Sequence, residues 1–258
     1  MIPFFYKKQF LISVFPMQNN ESNLNNLMSA YSTISEYYIR TKRKPWKDFK
    51  EYLLKISNLI DLSEKHFICD IGGGNGRNLL LFQEYKSQFI LCDLSFKLLK
   101  NSVLLPNSAN HLVNLEMTFL PFRKRSYDLV LSIASIHHLN NQTDVIRAFT
   151  EIKEILQKNG FFILSVWYKW KKDTRFKMIL DLILFPIKKL FISNWRFGDY
   201  YLPWRNSEGL VIAKRYYHLF SRRELVKLIR KTSFKIVDIS LLGGKSGKDN
   251  IFVLLQNN

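Results

Sequence analysis

An apolar run that breaks into glycine constrains this chain more than any other stretch. Phe67-Ile68-Cys69-Asp70-Ile71 leads into Gly72-Gly73-Gly74-Asn75-Gly76, and the apolar pattern Leu79-Leu80-Leu81-Phe82 follows. Strand, tight turn and helix in that order open the nucleotide crevice of an open α/β sheet, because glycine lets backbone amides pass close to a ligand. The pattern predicts helices at about 22–38 and 46–60, a strand at 67–71, a helix at about 76–86, a strand at 88–92 and a helix at about 95–101. It continues with strands near 111–115 and at 128–133, a helix from about Asn141 to Gln157 capped by Gly160, and a strand over 161–166. Region 167–220 reads as an irregular insertion, followed by a helix at about 221–231 and the strands Phe234–Leu241 and Asn250–Val253. The expected fold is α/β, a seven-stranded, mostly parallel sheet with helices on both faces and an inserted lobe. Residues 1–20 read as an N-terminal extension that the fold need not include, with Met17 as an alternative start, and residues 21–258 as the domain.

Spacing narrows the ligand. The third position after Gly74 holds Arg77 rather than the third glycine of a dinucleotide fingerprint. Asp70, just before the turn, would repel a phosphate but suits the ammonium and sulfonium of S-adenosylmethionine. Asp93 ends the next apolar run, Phe89-Ile90-Leu91-Cys92, where a carboxylate can take both ribose hydroxyls. S-adenosylmethionine is therefore the expected cofactor, held by Asp70, Gly72, Gly74, Asn75, Gly76 and Asp93, with Glu116 and Ile133 at the ends of later strands. A tight turn with solvated acids is the alternative.

With 258 residues, 47% of them hydrophobic, the chain can bury a full core without metal or disulfide staples. Cys69 and Cys92 lack zinc or disulfide-framework spacing and read as reduced core residues of a cytoplasmic protein, with an opportunistic disulfide as the alternative. The formal net charge of +18 points to a polyanionic partner, nucleic acid or an acidic membrane surface. The excess gathers late in the chain: residues 165–196 carry eight cations against two carboxylates, and residues 205–235 nine against two. The N-terminal stretch Phe4 to Phe15 contains Lys7 and Lys8 and is too short to span a bilayer. Segment 176–192 is amphipathic, basic and expected to break at Pro186; it reads as a helical cover packed on the core, and membrane contact is the minority alternative.

Later motifs carry a family resemblance. Phe119-Leu120-Pro121-Phe122 before Tyr127-Asp128, then Ser132-Ile133-Ala134-Ser135-Ile136-His137-His138-Leu139, resemble the adenine-side and post-strand motifs of class I S-adenosylmethionine-dependent methyltransferases. Outside that core, five elements resemble the tRNA wobble-uridine carboxymethyl methyltransferases: Tyr31-x-x-Ile34-Ser35, Thr41-Lys42-Arg43-Lys44-Pro45-Trp46, Val166-Trp167, Asp199-Tyr200-Tyr201-Leu202-Pro203-Trp204 and Arg215-Tyr216-Tyr217-His218-Leu219-Phe220. The resemblance runs from about Tyr31 to the C-terminus. It implies esterification of 5-carboxymethyluridine in the tRNA anticodon, and a small zinc-binding activator covering an apolar edge. Glu116 stands where that family has Asp, and Thr41-Lys42-Arg43 where it has Thr-Arg before Pro-Trp.

A carboxylate is already ionised at neutral pH, so methyl transfer to its oxygen needs no general base, and catalysis is expected to be positioning. The candidates are Lys42, Arg43, His137, His138, Arg215 and His218. Each has a structural alternative: the paired histidines as pocket walls, Lys42 and Arg43 as phosphate contacts, His218 as core. Two other readings stand beside this one, a quinone or lipid methyltransferase and a non-catalytic RNA-binding protein. The set Asp70, glycine turn and Asp93 argues against the second; the basic C-terminal half and the RYYHLF element argue against the first.

Overall fold

A computed structural model describes residues 11–14, 21–61, 66–85, 87–103, 110–172, 174–191 and 195–258. In chain order the elements are β1 (Leu11–Val14), α1 (Glu21–Thr41), α2 (Lys47–Ile56), β2 (Phe67–Ile71), β3 (Gln88–Asp93), α3 (Phe96–Lys100), β4 (Asn110–Leu115), β5 (Tyr127–Ile133), α4 (Gln142–Ile155) and β6 (Leu156–Trp167). Then come α5 (Arg175–Phe191), β7 (Asp199–Arg205), β8 (Val211–His218), α6 (Arg222–Arg230), β9 (Lys235–Leu242) and β10 (Asn250–Gln256).

The main sheet runs β1-β4-β3-β2-β5-β6-β10-β9. Pairing is parallel from β1 to β6, and β10 lies antiparallel between β6 and β9. Seven of these strands are the expected ones, and the eighth, Leu11–Val14, adds a parallel edge to β4. The rest of residues 1–20 lies outside the described residues. The central strands read as continuous apolar runs because both faces of the sheet are covered. Alternation divides them: Cys69, Ile71 and Val130 join Phe149 of α4 and Leu225 of α6 in one core, while Ile68, Leu129 and Leu131 join Phe49 and Tyr52 of α2 in the other. Strand order reverses at the parallel β2–β5 pair, so a crevice opens at the carboxyl ends of β2, β3 and β5.

Five expectations change. The helix at about 76–86 is a single 3₁₀ turn, Leu79–Phe82. Its apolar residues form one block with no later turn to bury, and Leu79 and Phe82, three apart, fill the core on their own. Gly160 does not cap α4, which ends at Ile155; it lies inside β6, where a Cβ would press on the Asp128 carbonyl oxygen at 3.1 Å. The insertion is ordered as helix α5 and a hairpin, β7 with β8. Helix α5 runs through Pro186 rather than breaking there; the residue four back, Leu182, is exposed, so its freed carbonyl faces solvent. Most of the apolar side chains of α5 also point outward instead of packing on the core.

Cys69 and Cys92 sit on neighbouring strands, buried and free, with their sulfurs 3.8 Å apart. Among the described residues, no helix is long and apolar enough to cross a membrane.

Candidate active site

The glycine turn folds around two carboxylates. Gly72, Gly74 and Gly76 take φ of 70°, 62° and 77°, a region that side-chain-bearing residues avoid. Asp93 anchors the turn: Oδ2 accepts from the Gly74 N–H at 2.7 Å and Oδ1 from the Ser95 N–H at 2.7 Å. Each oxygen retains a second lone pair. Asp70 is fully buried, and neither of its oxygens finds a partner among the described residues. Burial, reinforced by the Asp93 charge and opposed by Arg77, pushes Asp70 up to about 7. Burial also lifts Asp93 to about 6 against the pull of its two backbone donors. Two raised, adjoining carboxylates behind a cradle of bare backbone, only partly offset by Arg77, form a site that favours a cationic ligand. The ammonium and sulfonium of S-adenosylmethionine match that deficit, and that cofactor brings an electrophilic methyl group.

An open crevice follows from this arrangement. Gly72, Gly74, Asp93, Glu116, Ile133 and His138 wall it. Asp70, Asn75 and Gly76 stand behind the wall. Asn75 Nδ2 donates to the Lys42 carbonyl at 2.8 Å, tying the end of α1 to the turn. Glu116 turns its carboxylate onto Thr118, accepting from that residue's N–H at 3.0 Å and from its hydroxyl.

Of the six residues proposed for methyl transfer, His138 walls the crevice, and Arg215 lies beside it, 5.8 Å from the ring of the crevice residue Tyr31. His138 Nδ1 lies 2.8 Å from the Tyr216 carbonyl oxygen and Nε2 lies 2.8 Å from the Tyr31 hydroxyl. A carbonyl only accepts, so Nδ1 carries the proton and Nε2 accepts from Tyr31. Burial, assisted by the Arg215 charge, lowers His138 to about 4, so the ring is neutral at physiological pH. Arg215 reaches the same corner from β8. Its guanidinium lies 4.5 Å from the Trp204 ring centre, 5.3 Å from Tyr217 and 5.8 Å from Tyr31. Among the described residues its Nε has no partner and no carboxylate lies within 4 Å.

The other four lie elsewhere. His137 is buried behind the crevice, accepting a long bond from the Trp167 N–H at 3.4 Å. His218 is fully buried between Asp199 at 2.6 Å and Glu224 at 2.7 Å, where it braces the hairpin. Lys42 and Arg43 are exposed just beyond α1, outside the crevice wall. Sequence reasoning passed over Tyr38, Asn78 and Ser135, which wall the crevice. Ser135 had one trace in the sequence, a small residue after β5: a Cβ on Gly72 would overlap its hydroxyl.

Comparison with known proteins agrees with this crevice. Residues 69–164 match a family described as "Methyltransferase domain". A protein of Encephalitozoon cuniculi, named provisionally as a methyltransferase, is 27% identical over 81% of this chain and 86% of its own length. The tRNA (carboxymethyluridine(34)-5-O)-methyltransferase of Schizosaccharomyces pombe is 24% identical over 89% of this chain and 95% of its own. The Arabidopsis thaliana protein of the same name is 27% identical, but this chain spans only 37% of it. A solved Burkholderia thailandensis N-methyltransferase with bound S-adenosylhomocysteine superposes with a TM-score of 0.61 at 16% identity, covering 94% of this chain and 92% of that one. A Haloferax volcanii methyltransferase solved with the Trm112 activator gives 0.58 at 13% identity, covering 90% and 97%. Sheet order, carboxylate-backed glycine turn and domain match lead to one conclusion: this chain has the fold and the cofactor crevice of the class I S-adenosylmethionine-dependent methyltransferases.

Proposed function

We propose that the enzyme esterifies a carboxylate on tRNA, the carboxymethyl group of a wobble uridine. The observation that carries this reading is Arg215, a buried guanidinium held among three aromatic rings beside the crevice, whose Nε, among the described residues, has no partner and which has no carboxylate within 4 Å. A buried cation with no carboxylate partner among the described residues favours an anionic substrate group. Arg215 then orients the carboxylate, and the aromatic rings exclude water. The Tyr31–His138 pair is neutral and has no proton to remove, which suits a nucleophile that arrives already ionised. Likeness to proteins named as carboxymethyluridine methyltransferases supports the substrate class, and the basic excess supports a polyanionic carrier. A small zinc-binding activator, comparable to the one in the Haloferax volcanii complex, belongs to the same proposal.

The test is transfer of a labelled methyl group from S-adenosylmethionine to bulk tRNA bearing 5-carboxymethyluridine, with such an activator present, followed by mild alkali. Alkali-labile label is expected, because base hydrolyses a methyl ester. Alkali-stable label, or none despite bound cofactor, would overturn the proposal.

A further inference from the structure

Helix α5 is inverted relative to an ordinary surface helix. Its inner side is marked by Met178, 2% exposed, and Asp181, 5% exposed. On the opposite side Phe176, Ile179, Ile183, Ile187 and Leu190 follow one another at spacings of three and four, so they form one stripe about 21 Å long. Exposure peaks on that stripe, at 79% for Phe176, 68% for Ile183 and 83% for Leu190. An apolar face of this kind turned to water is unfavourable unless something covers it.

Charge indicates the cover. The helix sequence holds Arg175, Lys177, Lys188 and Lys189 against a single acid, Asp181, and that acid is turned inward and paired with Lys188 at 2.5 Å. Lys171 and Lys172 precede it in sequence. No acidic side chain of the helix lies on the outer face. The stripe is a ridge of aliphatic and aromatic groups with no hydrogen-bonding specificity of its own, and Arg175 and Lys177 stand at its start. Such a ridge fits a fluid apolar layer beneath anionic headgroups. We propose that α5 lies in the plane of an anionic membrane surface, its Phe176–Leu190 stripe in the acyl boundary and its cations among the phosphates. The helix docks and does not span. Nothing in this inference depends on the methyl acceptor.

The experiment is cosedimentation of the full chain with vesicles of phosphatidylcholine alone, or with about one third phosphatidylserine. Binding to the anionic vesicles should exceed binding to the neutral ones by about tenfold and fall with salt. Ile183→Glu with Leu190→Glu should reduce it about a hundredfold. Both side chains are exposed, so an unchanged melting temperature and cofactor affinity would show that the variant is folded. Ile183→Trp should shift its emission to the blue on anionic vesicles only. Three results would overturn the proposal: no vesicle binding by the native chain, binding unchanged in the double glutamate variant, or a stable dimer that this variant dissociates.

Discussion

The carboxylate of Asp70 lies directly beneath Gly73, so close that a Cβ on that glycine would overlap Oδ2. Backbone and buried acid thus share one space, and among the described residues no donor satisfies the acid. Cofactor affinity should therefore depend on pH. Asp70 and Asp93 are raised to about 7 and about 6, and a cationic ligand favours their ionised forms. Binding then releases protons, so affinity for S-adenosylmethionine should rise by up to about tenfold per pH unit through this range and level off above it. Titration calorimetry from pH 5.5 to 8.5 measures this, and Asp70→Asn should flatten the profile.

The same shifts have the opposite sign for the free protein. A carboxyl with a raised folded pKa keeps a proton that the unfolded chain gives up, so folding stability should fall between about pH 4 and pH 7. Thermal melts of the apoprotein should move down over that interval, while melts with saturating cofactor hold or rise.

Gly73→Ala should abolish cofactor binding and cost about 1–3 kcal/mol, because the methyl group also meets Leu91 and neither neighbour can move freely. Equilibrium urea unfolding reads the second effect.

Arg215→Lys should lower kcat/KM for a carboxylate acceptor about a hundredfold with cofactor affinity unchanged, since an ammonium cannot reproduce a planar, ring-stacked grip. Tyr31→Phe should cost about five- to tenfold in kcat by freeing His138 Nε2. With His138 held near 4, kcat at saturating cofactor should not change between pH 6 and pH 8.5.

His218→Ala should destabilise the inserted lobe by about 3 kcal/mol, leaving Asp199 and Glu224 without their shared partner. Burial raises Glu224, but His218 and Lys169 outweigh it and depress the group to about 2. Its contribution is present above the unfolded carboxyl value near 4.5 and lost as pH falls toward 2, so acid unfolding should begin at higher pH in the variant.

The strand-and-glycine frame and the two acids of the crevice are legible in the order of residues alone. Short buried strands announce themselves as apolar runs, the turn needs glycine at positive φ, and Asp70 and Asp93 stand at strand ends whatever the rest of the chain does. Only the tertiary structure separated His138 from His137, and Arg215 from His218. Neighbours in sequence on a short turn or a strand face opposite ways, and which way is inward depends on elements far along the chain, here Tyr31 on α1 and Asp199 on β7. Helix α5 shows the same limit. Its periodicity located an apolar stripe, but the side that packs is decided by Met178 and Asp181, and the stripe itself faces outward.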